Sequence, residues 1–360
     1  MPKKEVKQKK WALVLLLVFV IILVLVLIIN QKSKIIKLKY QKQDIPKLFQ
    51  LASEFYYNQG NYLDAIQQYN KIIEIDPKNY GAYMGLGNSY TQLGRYKEAI
   101  KIFEKTFSIG YIDFRTYYGL GLTYYSMEGY NKSYTNLKQA YELNPGNKAV
   151  VSYLINDYNA LGLYDEAIKL AKDRLENDTN NTHYYRKIAL AYLLKNDLTK
   201  ALENAQKAVS YDQIYAPNYL ALANVYLSMG SKEDALSEFK TALALRAENT
   251  AYEGLSVSYE LLGDNEKSNK NSKAANFLPR NSFSLSLLGF ALLNIKEYDK
   301  AIREFNFAIS NTPEYYLPYK GLGKVYMEIG QKEKAKTFLQ KAWELNNLDK
   351  ETAKLLEQVK

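Results

Sequence analysis

The amino-acid sequence predicts an all-α fold: antiparallel helix pairs stacked one on the next, preceded by one apolar helix. Three observations predict it. From residue 46 the 360-residue chain resembles itself every 33 or 34 residues, with starts at 46, 80, 114, 148, 182, 216, 249, 282 and 316, a period that holds two helices and their turns. Small residues recur at the eighth position (Ser53, Gly87, Gly121, Ala189, Ala223, Ser256, Gly289, Gly323) and at the twentieth (Ala65, Ala99, Ser133, Ala201, Ala235, Ser268, Ala301, Ala335). A helical glycine costs about 1 kcal/mol relative to alanine, so its recurrence signals close helix approach that outweighs propensity. Tyrosine fills the eleventh position in eight of the nine repeats (Tyr56, Tyr90, Tyr124, Tyr158, Tyr192, Tyr226, Tyr259, Tyr326), which makes the aromatic content core and not a base-stacking surface.

In chain order the sequence divides into a basic tail (1–10), an apolar helix (11–30), a basic linker (31–45), nine repeats (46–349) and a C-terminal capping helix (350–360). Trp11 to Ile29 is an unbroken run of 19 apolar residues, long enough at about 1.5 Å per residue to span a bilayer. The expectation is a single-pass membrane protein. Lys9 and Lys10 directly before the run favour a cytoplasmic N-terminus, with the repeat body on the far side. Of the net charge of +10, +8 sits in the first 45 residues, where ten lysines face Glu5 and Asp44. The remaining chain is nearly neutral, so the basic balance describes the flanks of the apolar run and argues against a nucleic-acid surface.

The repeat residues resemble the tetratricopeptide repeat. In the second repeat the resemblance rests on Tyr83, Leu86, Gly87, Tyr90, Ala99 and Phe103, with Tyr96 after the Gly94 turn; in the eighth it rests on Leu285, Leu288, Gly289, Ala301, Phe305, Ala308 and Pro313. It implies a right-handed superhelical solenoid whose first helices line a concave face. Each unit is too small to bury a core alone, so neighbours must stack. Asp349 to Lys360, with Leu355, Leu356 and Val359 on one side, reads as the end cap such a stack needs. Ile155 and Arg174 in the fourth repeat, and Asn265, Ser268 and Ser272 in the seventh, depart from the pattern and predict weaker local packing.

Enzymatic chemistry finds little support. The chain has no cysteine and one histidine, His183, which excludes thiolate chemistry and metal sites needing two imidazoles. No catalytic, metal or cofactor site is expected. The triplets Gly85-Leu86-Gly87, Gly119-Leu120-Gly121 and Gly321-Leu322-Gly323 sit at identical repeat positions and read as packing, since the spacing of a phosphate-binding loop fails around Lys324.

What the resemblance does imply is a peptide groove. Positions 2, 5, 9, 12 and 13 of each first helix point into it, and the candidate residues here are Asn88, Tyr118, Leu122, Tyr125, Asn156, Arg186, Leu190, Leu193, Leu220, Asn224, Leu227 and Phe290. Side-chain amides at position 9 offer both a donor and an acceptor to an extended backbone. The function expected is a membrane-anchored scaffold or adaptor binding partner proteins in that groove; a self-associating assembly scaffold is the alternative. Acidic chaperone tails are disfavoured, because no three consecutive repeats carry the lysine, asparagine and arginine set that grips them.

Overall fold

The computed structural model describes residue 15, residues 17–29, residue 31, and residues 40–246 and 248–359. Every regular element among them is helical. The chain divides into two compact units, Met1–Gly119 and Leu120–Lys360.

The apolar run is helical at 15, 17–29 and 31, while 11–14, 16 and 30, the tail 1–10 and linker residues 32–39 lie outside the described residues. Among the described residues no helix is long and apolar enough to cross a membrane. The expected single-pass anchor, and the topology built on it, are therefore corrected.

The first unit holds α1 (Ile45–Ser53), extended by a wide turn through Asn58, α2 (Tyr62–Ile75), α3 (Tyr80–Gln92), α4 (Tyr96–Ser108) and the start of α5 (Phe114–Ser126). Side-chain amides start two of these helices: Asn61 accepts from the Asp64 N–H and Asn79 from the Ala82 N–H, each satisfying a donor the first turn leaves free. Leu48, Ala52, Ala65, Tyr69, Ile72 and Leu86 form the core between them.

The second unit continues with α6 (Tyr130–Leu143), α7 (Lys148–Ala160), α8 (Tyr164–Leu175), α9 (Thr182–Leu194), α10 (Leu198–Tyr211), α11 (Ala216–Ser228) and α12 (Lys232–Ala244). It ends with α13 (Glu248–Leu261), α14 (Asn265–Asn276), α15 (Ser282–Asn294), α16 (Tyr298–Asn311), α17 (Leu317–Glu328), α18 (Lys332–Leu345) and α19 (Lys350–Gln358). Odd-numbered helices open each pair and even-numbered helices close it. α19 seals the stack: Val359 is buried with Ala335 and Leu339, and Leu355 and Leu356 pack against them.

The recurring glycines have a specific partner. A Cβ on Gly87 would lie 2.6 Å from the ring of Phe103, and one on Gly119 would lie 2.7 Å from the same ring. Gly289 and Gly321 clasp Phe305 in the same way, at 2.6 and 2.2 Å. In repeats two and eight the large side chain at position 24 thus enters between its own first helix and the next, and the Gly-Leu-Gly triplets serve two such side chains at once; repeats four, five and seven carry Ala171, Ala205 and Ser272 there. Real Cβ contacts never come so close, so the space exists only because these residues lack one.

Candidate binding face of the second unit

Four first helices, α5, α7, α9 and α11, send candidate groove residues to a common cavity of about 230 Å³. Tyr125, Asn156, Arg186, Leu190, Leu220 and Asn224 line it. A fifth helix closes it: α11 packs directly against α15, and Phe283, Ser284 and Leu287 of α15 complete the cavity. Sequence separation hides this contact, because the repeat pattern specifies neighbours and α15 belongs two pairs further on.

The polar groups of the cavity are tied into the fold. The Asn156 amide donates to the Tyr125 hydroxyl at 3.3 Å and its oxygen accepts from Lys187 Nζ. Lys187 is fully buried and donates also to the Ser152 carbonyl at 3.0 Å. Burial pushes its ammonium well below the usual range, with Arg186 adding to the fall. Burial likewise raises the Asp157 carboxyl well above the usual range, despite Ser133 and Lys187 nearby. Both groups are thereby driven toward their neutral forms. Arg186 lies half-buried over the Tyr215 ring at 5.8 Å from its centroid.

Asn224 spends its amide on the Leu220 carbonyl one turn back, at 2.8 Å. Asn159 spends its own on the Lys187 carbonyl, at 3.0 Å. The carbonyl oxygens of both asparagines are buried without a hydrogen-bond partner, which leaves two unpaired acceptors in residues that line the cavity. Of the position-nine amides in the cavity, Asn224 therefore offers an acceptor alone and Asn156 has both groups engaged within the fold, in place of the full donor and acceptor pair read from sequence. Asn159 occupies the twelfth position of its repeat, so its polarity was the signal available for it; Tyr130 and Asn281, which also line the cavity, carry none.

The other candidates lie elsewhere. Leu193 and Leu227, both at position twelve, are 5% and 0% exposed; Leu193 belongs to the larger core cluster of the second unit and Leu227 to the cluster it shares with α15. Phe290 meets the Phe305 ring edge-on at 5.1 Å. Leu122 is half-buried on α5, and Asn88 and Tyr118 are half-buried in the first unit. Lys320, cationic at a concave position, is fully buried between Asp349 at 2.8 Å and Glu351 at 2.7 Å. Its task is to hold the end cap.

Family models described as tetratricopeptide repeat match residues 56–107, 114–147, 220–268 and 321–347. These segments are tetratricopeptide repeats. Anaphase-promoting complex subunit 7 of Arabidopsis thaliana is 25% identical over 49% of this chain and 32% of its own length. The small glutamine-rich tetratricopeptide repeat-containing protein 2 of Saccharomyces cerevisiae is 31% identical over 32% of this chain and 30% of its own. The chain therefore spans about a third of these curated relatives. Among solved structures, the Cut9–Hcn1 hetero-tetramer of APC/C aligns with a TM-score of 0.49 at 16% identity, over 84% of this chain and 67% of that one.

Proposed function

We infer that the chain is a protein-interaction scaffold whose concave face in the second unit takes a polypeptide segment of a partner protein. The observation that carries this is the convergence of Tyr125, Asn156, Arg186, Leu190, Leu220 and Asn224, from four successive first helices, on one cavity with apolar walls. Two unpaired buried acceptors, on Asn159 and Asn224, and a half-buried guanidinium on Arg186 give that wall the polar points that fix a backbone or side chain in place. Tetratricopeptide segments, and a relative named as a subunit of a larger complex, support the same reading.

Site-directed photocross-linking tests it. Benzoylphenylalanine placed at Leu190 or Leu220 in the full chain is expected to give protein adducts, and the same group at the exposed outward positions Lys169 or Glu203 is not. Adducts of equal yield from all four positions, or from the outward pair alone, would remove the concave face from the account.

A further inference from the structure

The turn between the two helices of each repeat passes through a left-handed residue. In six repeats it is glycine: Gly60, Gly94, Gly162, Gly230, Gly263 and Gly330, with φ between 61° and 81°. Glu128 takes the same conformation at φ 58°, where a side chain is disfavoured. Asn196 and Lys296 share this conformation at φ 61° and 64°; what sets Glu128 apart is the reach of its carboxylate. It accepts from the Asn281 amide at 3.0 Å, from the Ser282 N–H at 3.2 Å and from the Thr312 hydroxyl at 2.6 Å. Ser282 begins α15, so the carboxylate sits where the helix dipole is positive. Backbone strain of this kind persists where the surroundings over-determine it.

What Glu128 holds is a helix with no polar face. α15 reads SFSLSLLGFALLN, and a helix apolar all round must be covered on every side. One side belongs to α16 and α17. The other lies on α11, where Leu288, Ala291 and Leu292 join Ala223 and Leu227 in one buried cluster. The seam is reinforced beside the latch: the Tyr315 hydroxyl donates to the Ala160 carbonyl at 3.2 Å and the Asn346 amide to the Leu161 carbonyl at 2.9 Å. Between α11 and α15 in the chain stands a pair whose second helix is polar. α14 buries only Ser268 and Ala275, and a polar cavity of about 250 Å³ separates the pair from α15 and α16.

We propose that the concave face of α11 is a helix-binding surface that the chain keeps covered with its own α15, that Glu128 latches the cover, and that the partner it fits is a leucine-rich helix of the α15 type. The proposal rests on the reading of the concave face as a polypeptide site. Phe283, Leu287, Leu288, Ala291 and Leu292 set the required pattern, apolar at i, i+4, i+5, i+8 and i+9. An attached cover competes at high effective concentration, so a partner helix binds weakly until the latch is released and repeats eight and nine swing on repeat seven.

The test uses the full chain, which has no native cysteine. Spin labels at Lys132→Cys and Glu344→Cys, both exposed and both lining the seam, report closure. A fluorescein-labelled peptide of residues 280–296 is the probe. Glu128→Gly is the variant, since glycine serves at this turn in six other repeats. The wild type is expected to give one short distance and weak probe binding. The variant should add a longer distance and bind the probe at least tenfold more tightly, and Leu220→Lys in the same background should abolish the gain. An unchanged distance distribution overturns the latch. An opened seam with no gain in probe binding overturns the helix-binding surface; cross-links from Leu190 and Leu220 would then leave the general concave-face reading standing, and their absence would remove both.

Discussion

Glu253 is a buried acid in the polar cavity of repeat seven, and replacing it with glutamine should flatten the pH dependence of that region. The side chain is 6% exposed. Burial, opposed by Arg280 and assisted by Glu304, pushes its carboxyl from 4.5 up to about 7. The facing groups are Arg280 at 3.6 Å, Glu304, and the Glu260 and Arg303 pair at 2.7 Å. Because the folded value lies above the unfolded one, its contribution is intact below pH 4.5 and is lost as pH rises to about 7. The loss amounts to about 3 kcal/mol across that window and levels off above it. Glu304 is also raised by burial, so some slope should survive in the variant. Native-state hydrogen exchange in α13 to α16, read at pH 5, 6, 7 and 8 after correction for intrinsic rates, isolates the region from the rest of the stack. Wild-type protection should fall steadily from pH 5 to 7, and Glu253→Gln should lose most of that fall. Equal slopes in the two proteins would refute burial as the cause.

Three further outcomes follow from the packing. Gly289→Ala places a Cβ 2.6 Å from the Phe305 ring, so overpacking of about 1–3 kcal/mol outweighs the roughly 1 kcal/mol gained in helix propensity, and the urea midpoint should drop; Gly146→Ala, with nothing nearer than 3.7 Å, should stay within about 0.5 kcal/mol. Lys296→Gly relieves a left-handed residue at φ 64° and should raise stability by about 0.5–1 kcal/mol, with an unchanged midpoint as the contrary result. Lys320→Met strips the counter-ion from Asp349, which is 1% exposed, and should cost about 3–5 kcal/mol, seen as exchange throughout α19. Adding Asp349→Asn and Glu351→Gln to it should restore protection.

The helical pairing was legible because it is written locally. Small residues at position eight, a large side chain at position 24 and asparagine or aspartate before many first helices each act on neighbours within one or two repeats. Even so, the glycines answer to the side chain at position 24 and not chiefly to the small residues at position twenty: Gly87 and Gly119 admit Phe103, while Gly121 and Gly323 admit Leu137 and Leu339. The binding face was legible only in part. Leu220, Asn224 and Leu227 carry the concave pattern, yet α15 lies on α11, so part of the apolar trough that would signal a partner is satisfied within the chain. The clue was α15 itself, apolar all round where its neighbours are amphipathic. Glu128 was visible as a departure from glycine at a turn, but its partners Asn281, Ser282 and Thr312 lie more than 150 residues away, beyond anything a nearest-neighbour repeat encodes. The apolar run at 11–29 is the opposite case: it is 19 residues long in sequence, yet among the described residues no helix is long and apolar enough to cross a membrane.

The second unit closes on itself where α15 lies on α11, which leaves a cavity of about 230 Å³ where a long groove was expected. Cysteine pairing tests this most directly. A Cβ at Gly230, after α11, lies 3.7 Å from Ile295 Cγ2, after α15; a cysteine at its φ of 81° costs about 1–2 kcal/mol, too little to unfold the stack, so the full chain carrying Gly230→Cys and Ile295→Cys should form an intramolecular disulfide under mild oxidation. It should form about as completely as the control pair Ser256→Cys and Ser268→Cys, whose native hydroxyls are 3.3 Å apart. Oxidation of the control pair alone, with the Gly230 and Ile295 positions remaining free thiols, would contradict the closure and restore an open groove.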